Sequence, residues 1–395
     1  MIERMEGVVQ PYAWGSPTFI PTLLGLEAGE DPQAELWLGA HPSAPSRVGG
    51  RSLDELIAAD ADRVLGAAST EAFGPRLPYL LKVLAAAKPL SLQAHPSRVQ
   101  AEAGYAREEA AGIPADAAHR LFKDDWPKPE LLCALIESEA LCGFREPGRT
   151  HALLEQLGAR AVLGLAAPLA ETGRPAAERL EETFGTMMRL GEDDARVVIE
   201  EVLAAARGLD AGGEVGTFAA TASELAEHHP SDPGVLAALL MNRVKLAPGE
   251  AIFLPAGNLH AYLYGAGIEI MANSDNVLRG GLTAKHVDVD ELLRVLDFTP
   301  GSTEHVQPEP EGPGVWRYRT PAPEFTLYRI APDGTPATLP ADPLGRSLLV
   351  VEGSLTLTEG ERSLPLEQGQ AAFVSAGTTA TATGDGIAFL AAAGV

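Results

Sequence analysis

Long apolar runs, cysteine and positive charge are all scarce in this chain of 395 residues. No stretch reaches the roughly 18 uninterrupted apolar residues that a membrane-spanning helix needs. The opening MIERMEGVVQPYAWGS mixes acids and bases and lacks the apolar core of a secretory signal. Only Cys133 and Cys142 are present, both in a largely apolar segment. Two buried free thiols are therefore expected, not a disulfide framework or a thiolate metal site. Thirty Lys and Arg stand against 54 Asp and Glu, a formal net charge of −24. A field of that sign repels nucleic acid and anionic membranes, so neither is expected as a partner. A soluble, cytoplasmic protein is the expectation. An anionic ligand would need bases gathered locally.

The length accommodates two or three domains. Residues 1–96 read as short strands and turns, with a helix at 52–65 between ELWLGAH and LPYLLKVLAAAKPLSLQAH. Residues 97–125 read as a helix broken near Gly112-Ile113-Pro114. KPELLCALIESEALCGF (128–144) reads as one nearly continuous strand buried on both faces. Between 148 and 243 the chain turns Ala/Glu/Leu-rich with helical spacing, as a helical domain inserted into a β-rich one would. From about 244 the β pattern returns, punctuated by Gly and Pro.

An internal repeat runs through that β pattern. LAPGEAIFLPAGNLH (246–260) and LEQGQAAFVSAGTTA (366–380) share Leu, Gly, Ala, Phe, Ala and Gly in register at an offset of 120. Turn, alternating strand and second turn form the texture of a small barrel or jelly roll. His260 in the first copy is Ala380 in the second, which gives His260 a task beyond packing.

SLQAHPS (91–97) places Gln93 and His95 on one face of an extended segment. AHPS also occurs at 40–43, with His41, and spacing alone does not separate the two copies. Gln93, His95, Glu130 and His260 together would make an N/O metal site that suits Zn²⁺ and also admits Mn²⁺, Fe²⁺, Co²⁺ or Ni²⁺. A lone strand histidine is more often a hydrogen-bonded, partly buried residue than a ligand. Bases cluster beside these candidates: Lys82 and Lys88 before Gln93, Lys128 before Glu130, and Arg279 and Lys285 in GIEIMANSDNVLRGGLTAKH with Glu269 and Asp275. Solvated surface charge is the default for Lys. Lys82 departs from it, because LPYLLKVLAAA surrounds it with apolar residues, and burial beside a metal would depress its pKa.

YAWGS, AELWLGAHPSAPS, LPYLLKVLAAAKPLSLQAHPS, KPELLCAL, DPGVLAALLMNRVKLAPGEAIFLPAGNLHAYL and IEIMANSDNVLRGGLTAKHVD closely resemble type I mannose-6-phosphate isomerases, over 1–145 and about 232–300. The resemblance implies a zinc-dependent cupin enzyme that interconverts mannose 6-phosphate and fructose 6-phosphate. It implies a mainly β fold with an inserted α-helical domain and two cupin-like jelly-roll barrels. The catalytic cupin would span 1–147 and 232–305, the helical insert 148–231, and a C-terminal barrel without metal ligands 306–395. Carried over, the metal ligands fall on Gln93, His95, Glu130 and His260, with one Zn²⁺ per chain, and His41 would not ligate. Arg279 matches the catalytic arginine; Lys82, Lys128 and Asp275 match active-site residues; Ser91, Tyr262, Glu269 and Lys285 match positions lining or supporting the site. A monomer acting on a sugar phosphate is implied. Three departures stand out: Pro127 where the family commonly has His before KPE, GLTAK for GLTPK, and NLHAY for EPHAY, with Asn258 in place of an acid. A non-catalytic sugar-phosphate-binding cupin, an isomerase of another sugar phosphate and a metal oxygenase are the alternatives; oxygenase sites do not need such a cluster of bases.

Overall fold

In the Tyr79–Ala86 strand every residue is buried, yet its two faces serve different cores. Leu81, Val83 and Ala85 join Leu131, Cys133, Ile268 and Ile270 in one apolar cluster. Leu84 and Ala86 join Leu132, Ala134 and Leu254 in another. Alternate residues of a strand point to opposite faces, so a strand covered on both must be apolar almost throughout. Lys82 is the exception, and its partners are described below. The computed structural model describes residues 1–395 apart from 208, 210–212 and 304.

The organising element is the 13-residue strand His260–Ala272. Its first part pairs with Gln93–Ala94 and Ser138–Phe144, and its second part with Glu130–Ala134 and Tyr79–Ala86. It changes partners at Gly265, where φ is +120° and a Cβ would lie 2.1 Å from Ser138 Oγ. Only glycine fits both the conformation and the space. The expected single strand over 128–144 is therefore two strands, Glu130–Ala134 and Ser138–Phe144. The turn between them crosses the long strand, with Leu135 N–H donating to Ala266 O at 2.8 Å. A continuous apolar run did not reveal this corner, because both halves are buried on either side of it.

The repeat at offset 120 is structural. Ala251–Leu254 and Ala371–Val374 are both strands. Each lies between glycines of positive φ: Gly249 (+88°) and Gly257 (+79°) in one copy, Gly369 (+78°) and Gly377 (+70°) in the other. A nine-stranded and an 11-stranded sheet face each other, and a four-stranded sheet covers the nine-stranded one. The strand orders among the described residues are open paths. The first strand, Ile2–Glu6, joins the C-terminal sheet beside Ala371–Val374.

Helices from Pro147–Leu157 to Gly234–Ala238 form the helical region. Their core is continuous with the β part: Leu153, Phe184, Ile199 and Leu225 share one cluster with Leu92, Ala94, Leu259, Leu278 and Leu282. Helices thus back the same strands that carry Gln93, His260 and Arg279. Among the described residues no helix is long and apolar enough to cross a membrane. Both cysteines are buried and free.

Gly265→Ala is expected to lower stability by about 3 kcal/mol through strain and collision with Ser138. A thermal-melt comparison with the parent chain checks it, and an unchanged melting temperature would contradict the corner described.

Candidate metal centre and its cavity

Two histidines from distant segments and one neighbouring lysine converge on one carboxylate. Register pairing sets Gln93 opposite His260 on one side and opposite Arg279 on the other. Residues directly opposite in an antiparallel pair project from the same face. His260, Gln93 and Arg279 thus form a row, with Cys142 at its far end opposite His260. Glu130, on the adjoining strand, reaches the histidine end: Glu130 Oε1 lies 3.3 Å from His95 Nε2, and Oε2 lies 3.3 Å from His260 Nε2. Lys128 Nζ lies 3.3 Å from Oε1. His95, Glu130 and His260 are all buried and form the cluster that could hold a metal ion among the described residues.

The backbone sets both imidazoles in the ligating tautomer. His95 Nδ1–H donates to Asn276 O at 2.7 Å, and His260 Nδ1–H donates to Asn258 O at 3.1 Å. Each Nε2 then turns a lone pair toward the Glu130 carboxylate. Acceptor facing acceptor in a dry site is unfavourable unless a cation lies between them. His95 Nε2 is indeed buried without a hydrogen-bond partner. Ligands on tetrahedral bonds of roughly 2.0–2.1 Å stand about 3.3 Å apart, the separation found here. The donor set fits a zinc-type ion. Because the Asn258 backbone orients His260, its side chain is free to differ; Oδ1 accepts from Cys142 Sγ at 3.4 Å.

Asn276 was not singled out by sequence. It is fully buried, and its side chain accepts from Lys123 N–H at 2.7 Å and donates to Asp124 O and Trp126 O at 2.8 Å. Those bonds fix the carbonyl that orients His95. The signal was the SDN triplet, whose Ser274 and Asp275 are tied to the same Asp124.

Beside the cluster opens a cavity of about 990 Å³ whose wall includes Lys82, Ser91, Gln93, Lys128, Asp275, Arg279 and Lys285. Tyr262 and Glu269, expected at the substrate, are not on that wall. Both are almost fully buried, and Glu269 Oε2 is taken up by Lys82 Nζ at 3.0 Å. His41 does not approach the cluster. Ser43 N–H donates to its Nδ1 at 3.2 Å, leaving Nε2–H to donate to Asp275 Oδ1 at 3.1 Å. That bond, ahead of burial, which opposes it, holds the Asp275 carboxyl below its usual range. Sequence gave His41 no part beside Asp275, since 234 residues separate them.

The charges answer one expectation in reverse. Burial alone would lower the Lys82 pKa, as its apolar surroundings suggest, but Glu269 at 3.0 Å and Glu35 at 3.6 Å raise it instead. Lys82 is a fixed cation. Burial pushes Glu130 up, but opposing charge overcomes this, with Lys128 Nζ at 3.3 Å among it, and holds the carboxyl well below its usual range. Burial drives His95 down to about 4, outweighing Glu130. Arg279 Nη1–H donates to Ser91 Oγ at 2.7 Å, and Arg279 in turn depresses Lys285. Pro127 is buried and Ala284 exposed.

Residues 2–147 match the family described as phosphomannose isomerase type I, catalytic domain. A mannose-6-phosphate isomerase of Escherichia coli (strain K12) is 40% identical over 387 residues, covering 95% of each chain. The Homo sapiens mannose-6-phosphate isomerase is 30% identical over 402 residues, covering 93% of this chain and 92% of the other. Among solved structures, the Salmonella typhimurium mannose 6-phosphate isomerase bound to fructose 6-phosphate and zinc is similar at a TM-score of 0.90 and 35% identity, covering 100% of both chains.

A histidine held below its unfolded pKa destabilises the fold when it is protonated. Without metal, the protein is expected to lose stability as pH falls from about 6.5 toward 4, by up to about 3 kcal/mol from His95. Denaturant unfolding in chelator, compared with His95→Gln, isolates this contribution. Identical pH slopes for the two proteins would argue against a buried neutral imidazole.

Proposed function

Because the chain belongs to the type I phosphomannose isomerase family, we propose that it interconverts mannose 6-phosphate and fructose 6-phosphate through an enediol. One Zn²⁺ would be held by His95, Glu130 and His260, with Gln93 adding a neutral amide oxygen. One observation carries this assignment. Two imidazole Nε2 atoms are turned on a buried carboxylate beside a cavity walled by Lys82, Lys128, Arg279 and Lys285. When bound there, the ion would supply Lewis-acid polarisation of substrate oxygen.

In the aldose-to-ketose direction a proton leaves C2, negative charge spreads over the two enediolate oxygens, and a proton returns at C1. Lys128 is placed to carry that proton, on the cavity wall and 3.3 Å from Glu130. Lys82, locked between Glu35 and Glu269, serves as fixed charge and not as a base. Arg279, braced by Ser91, adds positive charge where the enediolate develops. Asp275, kept ionised by His41, accepts a sugar hydroxyl proton as the ring opens. Lys285 takes the phosphate, and Ser91 a substrate oxygen. Tyr262 and Glu269 support the site from off the wall. Pro127 has no proton to transfer, which leaves that task to Lys128.

The family likeness and the repeat at 249–257 and 369–377 also support two cupin-like barrels. The catalytic unit would be 1–147 with 232–305, the helical insert 148–231, and the C-terminal unit 306–395. A cytoplasmic monomer is the matching proposal for the protein as a whole.

Conversion of mannose 6-phosphate is expected to vanish on chelation, return with Zn²⁺ and be absent in His260→Ala. Lys128→Ala is expected to keep its zinc and lose about 100-fold or more in kcat. Wild-type protein that binds zinc but leaves this substrate unchanged would remove the proposed reaction; other sugar phosphates would then be assayed.

A further inference from the structure

Arg279 and Lys285 stand on a short irregular segment that is anchored from two sides. At its start, Gly280 N–H donates to Leu92 O at 2.7 Å and Leu92 N–H donates to Gly281 O at 3.1 Å, next to Gln93. From the helical side, Asp232 holds it. Asp232 Oδ2 accepts from Thr283 N–H at 3.0 Å, while Oδ1 accepts from Gly234 N–H at 2.7 Å. Thr283 Oγ1 accepts in turn from Lys285 N–H at 3.1 Å. A chain of bonds thus runs from the end of the helical region to the lysine backbone.

The two backbones touch with no side chain between them. A Cβ on Gly281 would lie 2.6 Å from Gly234 Cα, and one on Gly234 would lie 2.8 Å from Leu282 N. Leu282 itself has a φ of +56°, a left-handed conformation that L residues adopt at a cost and keep only where the surroundings over-determine it. Its side chain is buried in the core shared with the helices. The contacts required here are specific: small residues at 234 and 281, and a two-oxygen acceptor at 232.

We propose that Asp232, at the junction where the chain returns from the helical insert, is a positioning residue that latches Thr283 and so fixes Lys285 for the substrate's phosphate. This rests on the assignment of Lys285 to the phosphate. A latch acting through a binding group changes KM and leaves kcat and zinc content nearly alone. An amide at 232 can accept through one oxygen only, so Asp232→Asn removes one of the two bonds with little change of volume.

Steady-state kinetics of the zinc-loaded enzyme are the test. Asp232→Asn is expected to raise KM for mannose 6-phosphate about tenfold, with kcat within about threefold and zinc per chain unchanged. Lys285→Ala should raise KM on its own, and the double variant should be no worse than Lys285→Ala, because both act through one group. In the wild type, hydrogen exchange should show a protected Thr283 amide, whatever the folding of the variants. Additive KM effects, a fall in kcat at constant KM, or a freely exchanging Thr283 amide would overturn the latch. If Lys285→Ala raises KM and Asp232→Asn does not, the latch alone fails. If Lys285→Ala leaves KM unchanged, the phosphate assignment fails first.

Discussion

The ionised Glu130 carboxylate is what the rest of the site depends on. It is almost wholly buried, and an anion in a dry interior is tolerated only with cations or donors on it. Lys128 supplies one cation. The two histidines face it with lone pairs because the Asn276 and Asn258 carbonyls already hold their Nδ1 protons. A positive ion completes that arrangement more naturally than any rearrangement of protons does. The tautomers, and hence the metal chemistry, are set by main-chain atoms.

A second buried charge group shows the same logic with the opposite outcome. Lys82 sits between Glu35 and Glu269 and cannot readily give up its proton. Trp37 Nε1–H closes the group by donating to Glu35 Oε2 at 2.6 Å. One lysine on the wall is thereby fixed in charge, and Lys128 is left nearer the metal cluster. In a chain of net charge −24, Lys82, Lys128, Arg279 and Lys285 share one cavity wall, where they oppose the global field and favour an anion locally.

The β character, the helical block and the repeat at offset 120 were legible because period-two and 3.6-residue patterns, with glycine at positive-φ turns, are written locally. Gln93 and His95 were legible as a pair because strand parity sets them on one face, and Ala380 marked His260 as more than packing; the family resemblance, not local pattern, joined them with Glu130 in one site. The sheet corner between 134 and 138 was not, since residues on both sides of it are equally apolar. Nor were the partners of Lys82, because Glu35 and Glu269 lie 47 and 187 positions away and only cross-strand register with Trp37 and Glu269 brings the group together. Tyr262 and Glu269, read as lining or supporting the site, lie on a strand that turns them into packed interior beside it.

What the sequence alone determined is chemical kind: an N/O donor set without thiolate, a wall of bases in an acidic chain, and glycines at the left-handed turns of the repeat. Residue types and local periodicity carry that information directly. That Lys82 keeps its proton, which nitrogen of each histidine is free, and that His41 serves Asp275 and not the metal were decided by tertiary structure. Each depends on atoms within about 3 Å that are far apart in the chain, and at that range electrostatics outweighs the intrinsic preference of any one residue.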